Sequence, residues 1–82
     1  MSKAPGFGAM KARRLRTLLE RELGYGVVRQ AGSHRTMQAR GRPNVLFAYH
    51  DGDEVGPARV RDILVKQVGL TLAEAKEVVS RG

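Results

Sequence analysis

The spacing of hydrophobic residues along this 82-residue chain changes from a helical period to a strand period and back. Leu15, Leu18, Leu19 and Leu23 recur at the i, i+3, i+4, i+8 spacing of one helical stripe and predict an amphipathic helix over residues 11–23. Gly24 suits the left-handed residue that ends such a helix. Three segments rich in β-branched and aromatic residues then predict three strands. These segments are YGVVRQ (25–30), SHRTMQA (33–39) and VLFAYH (45–50).

Turn and capping residues mark the remaining elements. AG (31–32) and RGRPN (40–44) are predicted to join the three strands by short turns. Pro57 suits the start of a second helix, in which Val60, Ile63, Leu64 and Val68 form a buried stripe before Gly69 ends it. Thr71 and Glu74 form a T-x-x-E capping box for a short last helix over about 72–80.

This order of elements predicts an α+β fold, a two-layer sandwich in which helices cover one face of a three-stranded antiparallel sheet. The other face of the sheet is expected to be open and polar. Residues 1–9 are predicted to be a disordered tail, which leaves residues 10–82 as one domain. A chain of this length buries only about 60 to 65% of the surface of its unfolded form, so we expect an open site for a large substrate.

The charge of the chain indicates a polyanionic partner. Fifteen Lys and Arg against eight Asp and Glu give a net charge of +7, and residues 1–42 hold ten of the basic residues but only two acidic ones. Arginine binds phosphate oxygens two at a time, so a basic, arginine-rich half suits a nucleic acid. A solvated basic surface that keeps the protein soluble is the alternative. Few aromatic anchors accompany the basic stretch, which disfavours an anionic membrane surface.

The composition excludes several other classes of protein. Cysteine is absent, which removes disulfides, thiolate zinc sites and a cysteine nucleophile. No apolar run approaches the roughly 20 residues of a membrane span, and residues 1–10 lack the apolar core of a signal peptide. We therefore expect a soluble protein of the cytoplasm.

His34, within RQAGSHRT (29–36), is the candidate for proton transfer. RNA can be cleaved through its own 2′-hydroxyl without a metal, which requires a base, an acid and cations near the phosphate. An unperturbed imidazole has a pKa of about 6.5, and a well-placed general base contributes roughly 10² to 10⁴ in rate. Arg29 or Arg35 could hold the phosphate, but strand alternation puts His34 and Arg35 on opposite faces. The alternative is that His34 lies beside the hairpin turn without any catalytic role.

The residues around His34 have supporting roles in this interpretation. Gly32 allows the backbone to approach a substrate closely, and Ser33 is expected to be a turn or hydrogen-bonding residue because no third group would activate it as a nucleophile. His50 could share the site or cap a loop. The carboxylates that follow it, in HDGDE (50–54), are more typical of an exposed acidic loop than of a metal site.

Three segments together resemble a known family. VRQAGSHR (28–35), VLFAYH (45–50) and PARVRDILVKQVGL (57–70) are similar to the HicA, or YcfA-like, family of toxin ribonucleases. The R-Q-x-G-S-H core and the I-L-x-x-Q-x-G-L end of the second helix are the most specific pieces. The resemblance covers about residues 10–79, with the motifs in the family's order.

The resemblance implies a fold like a double-stranded RNA-binding domain and a toxin that cleaves messenger RNA without a metal or other cofactor. RNA at the ribosome is a further possible substrate, and a HicB-type antitoxin is the implied protein partner. The histidine of the G-S-H motif, His34, is the implied catalytic residue. The basic residues that we expect to bind RNA are Lys11, Arg13, Arg14, Arg29, Arg35 and Arg59.

Two alternatives remain open at this point. One is a non-catalytic RNA-binding module of the same fold. The other is a structural subunit that binds a protein through its leucine-rich faces. A measurement of RNA affinity would distinguish the structural subunit, which should not bind RNA, from the enzyme and the RNA-binding module, which should. A cleavage assay would then distinguish the enzyme from the module.

Overall fold

A computed structural model describes residues 7–82, and it confirms the predicted α+β order. The strands are β1 (Met10–Lys11), β2 (Gly26–Ala31), β3 (His34–Ala39), β4 (Arg42–Ala48) and β5 (Glu54–Val55). The helices are α1 (Ala12–Leu23), α2 (Pro57–Asp62), which continues as a π-helical segment over Ile63–Gln67, and α3 (Leu72–Arg81). Strands β1 and β5 pair with each other but have only two residues each, too few to produce a periodic signal in the sequence.

The main sheet is an antiparallel meander in the order β2-β3-β4. Met37, Val45 and Phe47 on one face are fully buried and join a single hydrophobic core with residues of all three helices. Residues that alternate with them, including His34 and Leu46, are exposed. The predicted sandwich with one open face is therefore confirmed.

Both hairpin turns differ from the prediction by a few residues. The first turn consists of Gly32 and Ser33, because Ala31 pairs with His34. Gly32 has a φ of 63° and no non-glycine residue within 7–82 has positive φ, a pattern that matches a type II′ hairpin turn. In the second hairpin β4 begins at Arg42, inside the segment that was predicted to be turn. An irregularity in the β3–β4 register accommodates the extra residues of β4.

The helix ends follow their sequence signals. The C-cap residue of α1, Gly24, has a φ of 76°. In the capping box of α3, the Glu74 backbone N–H donates to Thr71 Oγ1 at 3.1 Å and the Thr71 N–H donates to Glu74 Oε1 at 2.9 Å. The second helical segment reaches as far as predicted but widens at its end, where the Val68 N–H donates to the Ile63 carbonyl at 3.0 Å.

The start of the chain requires one correction. Residues 1–6 of the predicted tail lie outside the described residues. Phe7, which was also assigned to that tail, is only 4% exposed and belongs to the core. The packed domain therefore begins before residue 10, and the large apolar ring of Phe7 is the physical reason.

Candidate active site

His34 lies at the start of β3, directly after the Gly32–Ser33 turn, and it is exposed. Its partners across the sheet are Ala31 on β2 and Ala48 on β4. Both neighbours carry only a methyl group, so the imidazole stands on the open face between two small side chains. Within residues 7–82 no side-chain hydrogen bond or ion pair involves its ring. A large molecule approaching the open face can therefore reach His34.

The turn before His34 is held by its own residues. The Gln30 side chain donates from Nε2 to the Gly32 carbonyl at 3.1 Å. The positive φ of Gly32 brings the chain back in two residues, so that β3 begins at His34 itself. Ser33 is the second turn residue and is partly buried, in agreement with its predicted turn role.

Arg35 points away from His34, to the other side of the sheet. Its side chain is only 15% exposed, and Nη1 lies 3.4 Å from Asp51 Oδ1 and donates to the Tyr49 carbonyl at 3.4 Å. The predicted strand alternation explains this separation. Arg35 and His34 are thus adjacent in sequence, but they do not share a face.

Asp51 connects three parts of the fold through arginines. Arg16 Nη2 on α1 donates to both carboxylate oxygens of Asp51 at 3.0 Å, and Arg35 approaches from β3. Partial burial of the Asp51 carboxylate raises its pKa, but the hydrogen bonds and charges of Arg16 and Arg35 outweigh this effect and lower the pKa below its ordinary value. The Asp51 carbonyl also accepts from the Arg13 N–H at 3.2 Å, which fixes the loop after β4 against the start of α1.

The other residues of the acidic loop also have partners within the protein. The His50 backbone N–H donates to Asp53 Oδ2 at 2.9 Å, and the Asp53 N–H donates to the His50 carbonyl at 2.9 Å. Glu54 lies 3.8 Å from Lys11 Nζ. Across residues 7–82, His, Asp and Glu form no group of three that could hold a metal ion. His50 is exposed two residues beyond Ala48, at the same end of the sheet as His34.

The predicted RNA-binding residues do not form one patch. Arg29 is exposed on β2 and pairs with Thr36, which lies on the face of His34. Lys11, Arg13 and Arg14 are exposed at the start of α1, in the helical layer behind the sheet. Arg59 is exposed on α2, beside the free edge of β4. The structure therefore brings Arg29 to the face of His34 and Arg59 to its border.

A groove of about 380 Å³ separates β4 from α2. Leu46 and Ala48 form its sheet side, and Arg59 and Gln67 belong to its helical side. Gln67 Oε1 accepts a hydrogen bond from the Leu46 backbone N–H at 3.0 Å. Periodicity did not single out Gln67; its place in the I-L-x-x-Q-x-G-L motif was the only available signal.

One of the three comparisons with known proteins identifies a family. A family model described as HicA toxin of bacterial toxin-antitoxin matches residues 12–70, a span that includes His34, Arg59 and Gln67. No curated protein and no solved structure matches the chain. None of the helices within residues 7–82 is long and apolar enough to cross a membrane.

Proposed function

The chain belongs to the HicA family of toxins from bacterial toxin-antitoxin systems, and we propose that it is an endoribonuclease that cleaves messenger RNA with His34. The observation that carries the enzymatic part is the position of His34. It is exposed on the open face of the sheet, at the end of a tight turn and between two alanines. A basic chain with an accessible imidazole on such a face suits a polyanionic substrate that is bound from outside.

The proposed reaction needs one proton acceptor and one proton donor. His34 removes the proton of the 2′-hydroxyl, and the 2′ oxygen forms a bond to phosphorus while the bond to the 5′ oxygen breaks. The products are a 2′,3′-cyclic phosphate and a free 5′-hydroxyl. His50 is the candidate donor for the leaving oxygen because it lies at the same end of the sheet. Arg29 is the candidate cation on this face.

The family also implies an antitoxin, and we propose a HicB-type protein that covers the open face. Such a partner would keep RNA away from His34 by occupying the surface on which it is exposed. An acidic surface would suit the basic residues around it. The cytoplasm, where messenger RNA is translated, is the proposed compartment, and RNA at the ribosome is included among the substrates.

Incubation of the purified protein with RNA in excess chelator tests this proposal. We expect cleavage with 2′,3′-cyclic phosphate ends, and a loss of roughly 10² to 10⁴ in rate for His34→Ala. Gln38→Ala is the matched control, since it removes an exposed polar side chain from the same strand. It should leave the rate within about a factor of two.

Four other outcomes would reject parts of the proposal. Equal cleavage by His34→Ala would remove His34 from the reaction. RNA binding without cleavage by the parent protein would identify a non-catalytic module. Cleavage that disappears with chelator would require a metal-dependent mechanism. An antitoxin complex in which His34 stays open to solvent would contradict the proposed mode of neutralisation.

A further inference from the structure

The groove between β4 and α2 begins directly beside the proposed active site. Ala48, which lines the groove, is the cross-strand partner of His34. Directly paired residues of antiparallel strands have Cα atoms only about 4.5 to 5.5 Å apart. The volume of about 380 Å³ lies at the small end of the range for small-molecule sites, roughly 300 to 1,000 Å³. The groove can therefore hold one nucleotide, but not a helical duplex.

The hydrogen bond of Gln67 fixes which end of its side-chain amide is free. The Leu46 backbone N–H is a donor, so the atom that it meets at 3.0 Å must be the carbonyl oxygen Oε1 of Gln67. The amide nitrogen, with its two hydrogens, is consequently directed away from β4. Amide side chains read bases by hydrogen bonding to their edges. Gln67 is thus an oriented donor at the wall of the groove.

Among the described residues 7–82, Arg59 is the charged residue of the groove that has no salt-bridge partner. Two carboxylates also line the groove, but Glu54 is paired with Lys11 at 3.8 Å, and Asp62 with Arg61 at 3.3 Å and Lys66 at 3.9 Å. Within residues 7–82 no salt bridge involves Arg59. An exposed guanidinium without a counter-charge is available for a phosphate group.

The groove also offers an aromatic ring. Tyr49 lines it and is half-buried, with its ring in an edge-to-face contact with Phe47 at a centroid distance of 5.3 Å. Bases of single-stranded RNA commonly stack on such rings. The contact with Phe47 holds the Tyr49 ring in place before any ligand binds.

We propose that this groove binds one unpaired nucleotide of the RNA, next to the phosphate that the 2′-hydroxyl attacks when His34 removes its proton, and that Gln67 selects its base. Arg59 binds the phosphate of that nucleotide and Tyr49 contacts the base. The proposal rests on the proposed ribonuclease function for its substrate. It adds a source of sequence preference that the basic surface alone does not supply, because phosphate contacts carry no base information.

Mononucleotides test the groove without any cleavage step. The four nucleoside 3′-monophosphates and inorganic phosphate are titrated into isotope-labelled protein, and backbone and side-chain amide shifts are followed by NMR. We expect shifts centred on Gly56, Arg59 and Gln67, with one base bound at least about three-fold more tightly than the others. Inorganic phosphate should bind at least about ten-fold more weakly than the preferred nucleotide, since one good base contact accounts for about a factor of ten.

Three variants identify the residues responsible. Gln67→Glu keeps the oxygen that accepts from Leu46 but removes the amide donors, so the preference among bases should disappear and the preferred nucleotide should bind about ten-fold more weakly. Lys76→Gln is the matched control, because it changes the net charge by the same single unit on α3, outside the groove. It should change affinity by less than about two-fold. Arg59→Gln should weaken binding of all four nucleotides by a similar factor.

The results separate this inference from the proposed function. If the parent protein cleaves RNA but no nucleotide shifts the groove resonances, the inference is wrong and the ribonuclease proposal stands. If nucleotides bind in the groove but RNA is not cleaved, the ribonuclease proposal fails and the binding site stands. Equal shifts with inorganic phosphate, or unchanged base preference in Gln67→Glu, would overturn the role of Gln67 as base reader.

Discussion

Replacement of Gly32 by alanine should destabilise the protein through the backbone of the turn that precedes His34. Gly32 has a φ of 63°, in the left-handed region that L residues avoid. A Cβ atom added at Gly32 would meet no atom of residues 7–82 within 4 Å, apart from those of its chain neighbours. Steric overlap therefore contributes nothing, and the cost is that of the backbone conformation alone.

The matched substitution is Gly26→Ala, at the other end of the same strand β2. Gly26 does not have positive φ, and among residues 7–82 a Cβ atom there also meets nothing within 4 Å beyond its chain neighbours. Alanine at Gly26 reduces the entropy of the unfolded chain and should stabilise the protein by about 0.4 to 1 kcal/mol. Gly32→Ala has the same effect on the entropy of the unfolded chain, but placing alanine in the left-handed conformation costs about 1 to 2 kcal/mol of folding stability. The two variants should differ by about 1 to 2 kcal/mol.

Urea denaturation followed by circular dichroism measures this difference, with unchanged m values as the check that only stability has changed. For a domain of this size, about 1 kcal/mol corresponds to roughly 4 to 8 °C in Tm, which thermal unfolding would detect independently. If Gly32→Ala is as stable as Gly26→Ala, the turn does not require the left-handed residue. The cleavage rate of Gly32→Ala can also be compared with the fraction of the variant that is unfolded. If the rate falls by more than this fraction accounts for, the turn also positions His34.

Three further predictions concern other contacts. The Tyr25 hydroxyl donates to the Pro43 carbonyl at 2.7 Å, so Tyr25→Phe should cost about 1 kcal/mol in urea denaturation. Because burial raises the pKa of Tyr25, the parent should lose stability as pH rises above about 10 and the variant should lack that loss; a parallel decline would contradict this. The lowered pKa of Asp51 means that its stabilising effect is present above the ordinary aspartate pKa of about 4 and is lost as pH falls below it. The stability difference between the parent and Asp51→Asn should therefore shrink from about pH 5 to about pH 2. Thr71→Ala should remove the cap of α3 at a cost of about 1 kcal/mol, while Thr71→Ser should retain most of the stability.

Features set by neighbouring residues could be predicted from the sequence. The leucine stripe of α1, the glycine that ends it and the capping box of α3 all depend on residues within one or two turns of helix. The alternation of β3 likewise predicted that His34 and Arg35 would separate. In each case the local signal and the tertiary structure agree, because burial of one face requires the same period that the sequence shows.

Features that join distant segments could not be predicted in this way. Arg16 and Asp51 are 35 positions apart, and Gln67 and Leu46 are 21 positions apart. No spacing rule connects such pairs, since their contact depends on how the loop after β4 and the end of α2 pack against the rest of the fold. Phe7 was missed for a related reason: glycines and a proline beside it indicate a tail, and only the tertiary structure provides a core for its ring.

The internal use of arginine changes what the net charge implies about RNA binding. Arg16 and Arg35 belong to the basic half of the chain, but both bind Asp51, and their side chains are only 22% and 15% exposed. Asp51, together with Glu20 at 3.5 Å from Arg16, compensates these two charges, so they add little to the attraction for phosphate. In the proposed complex with RNA, the phosphates near His34 would therefore be met by exposed residues such as Arg29 on the same face and Arg59 at its border. A count of basic residues indicates the class of partner, but the ion pairs decide which of those residues remain available to it.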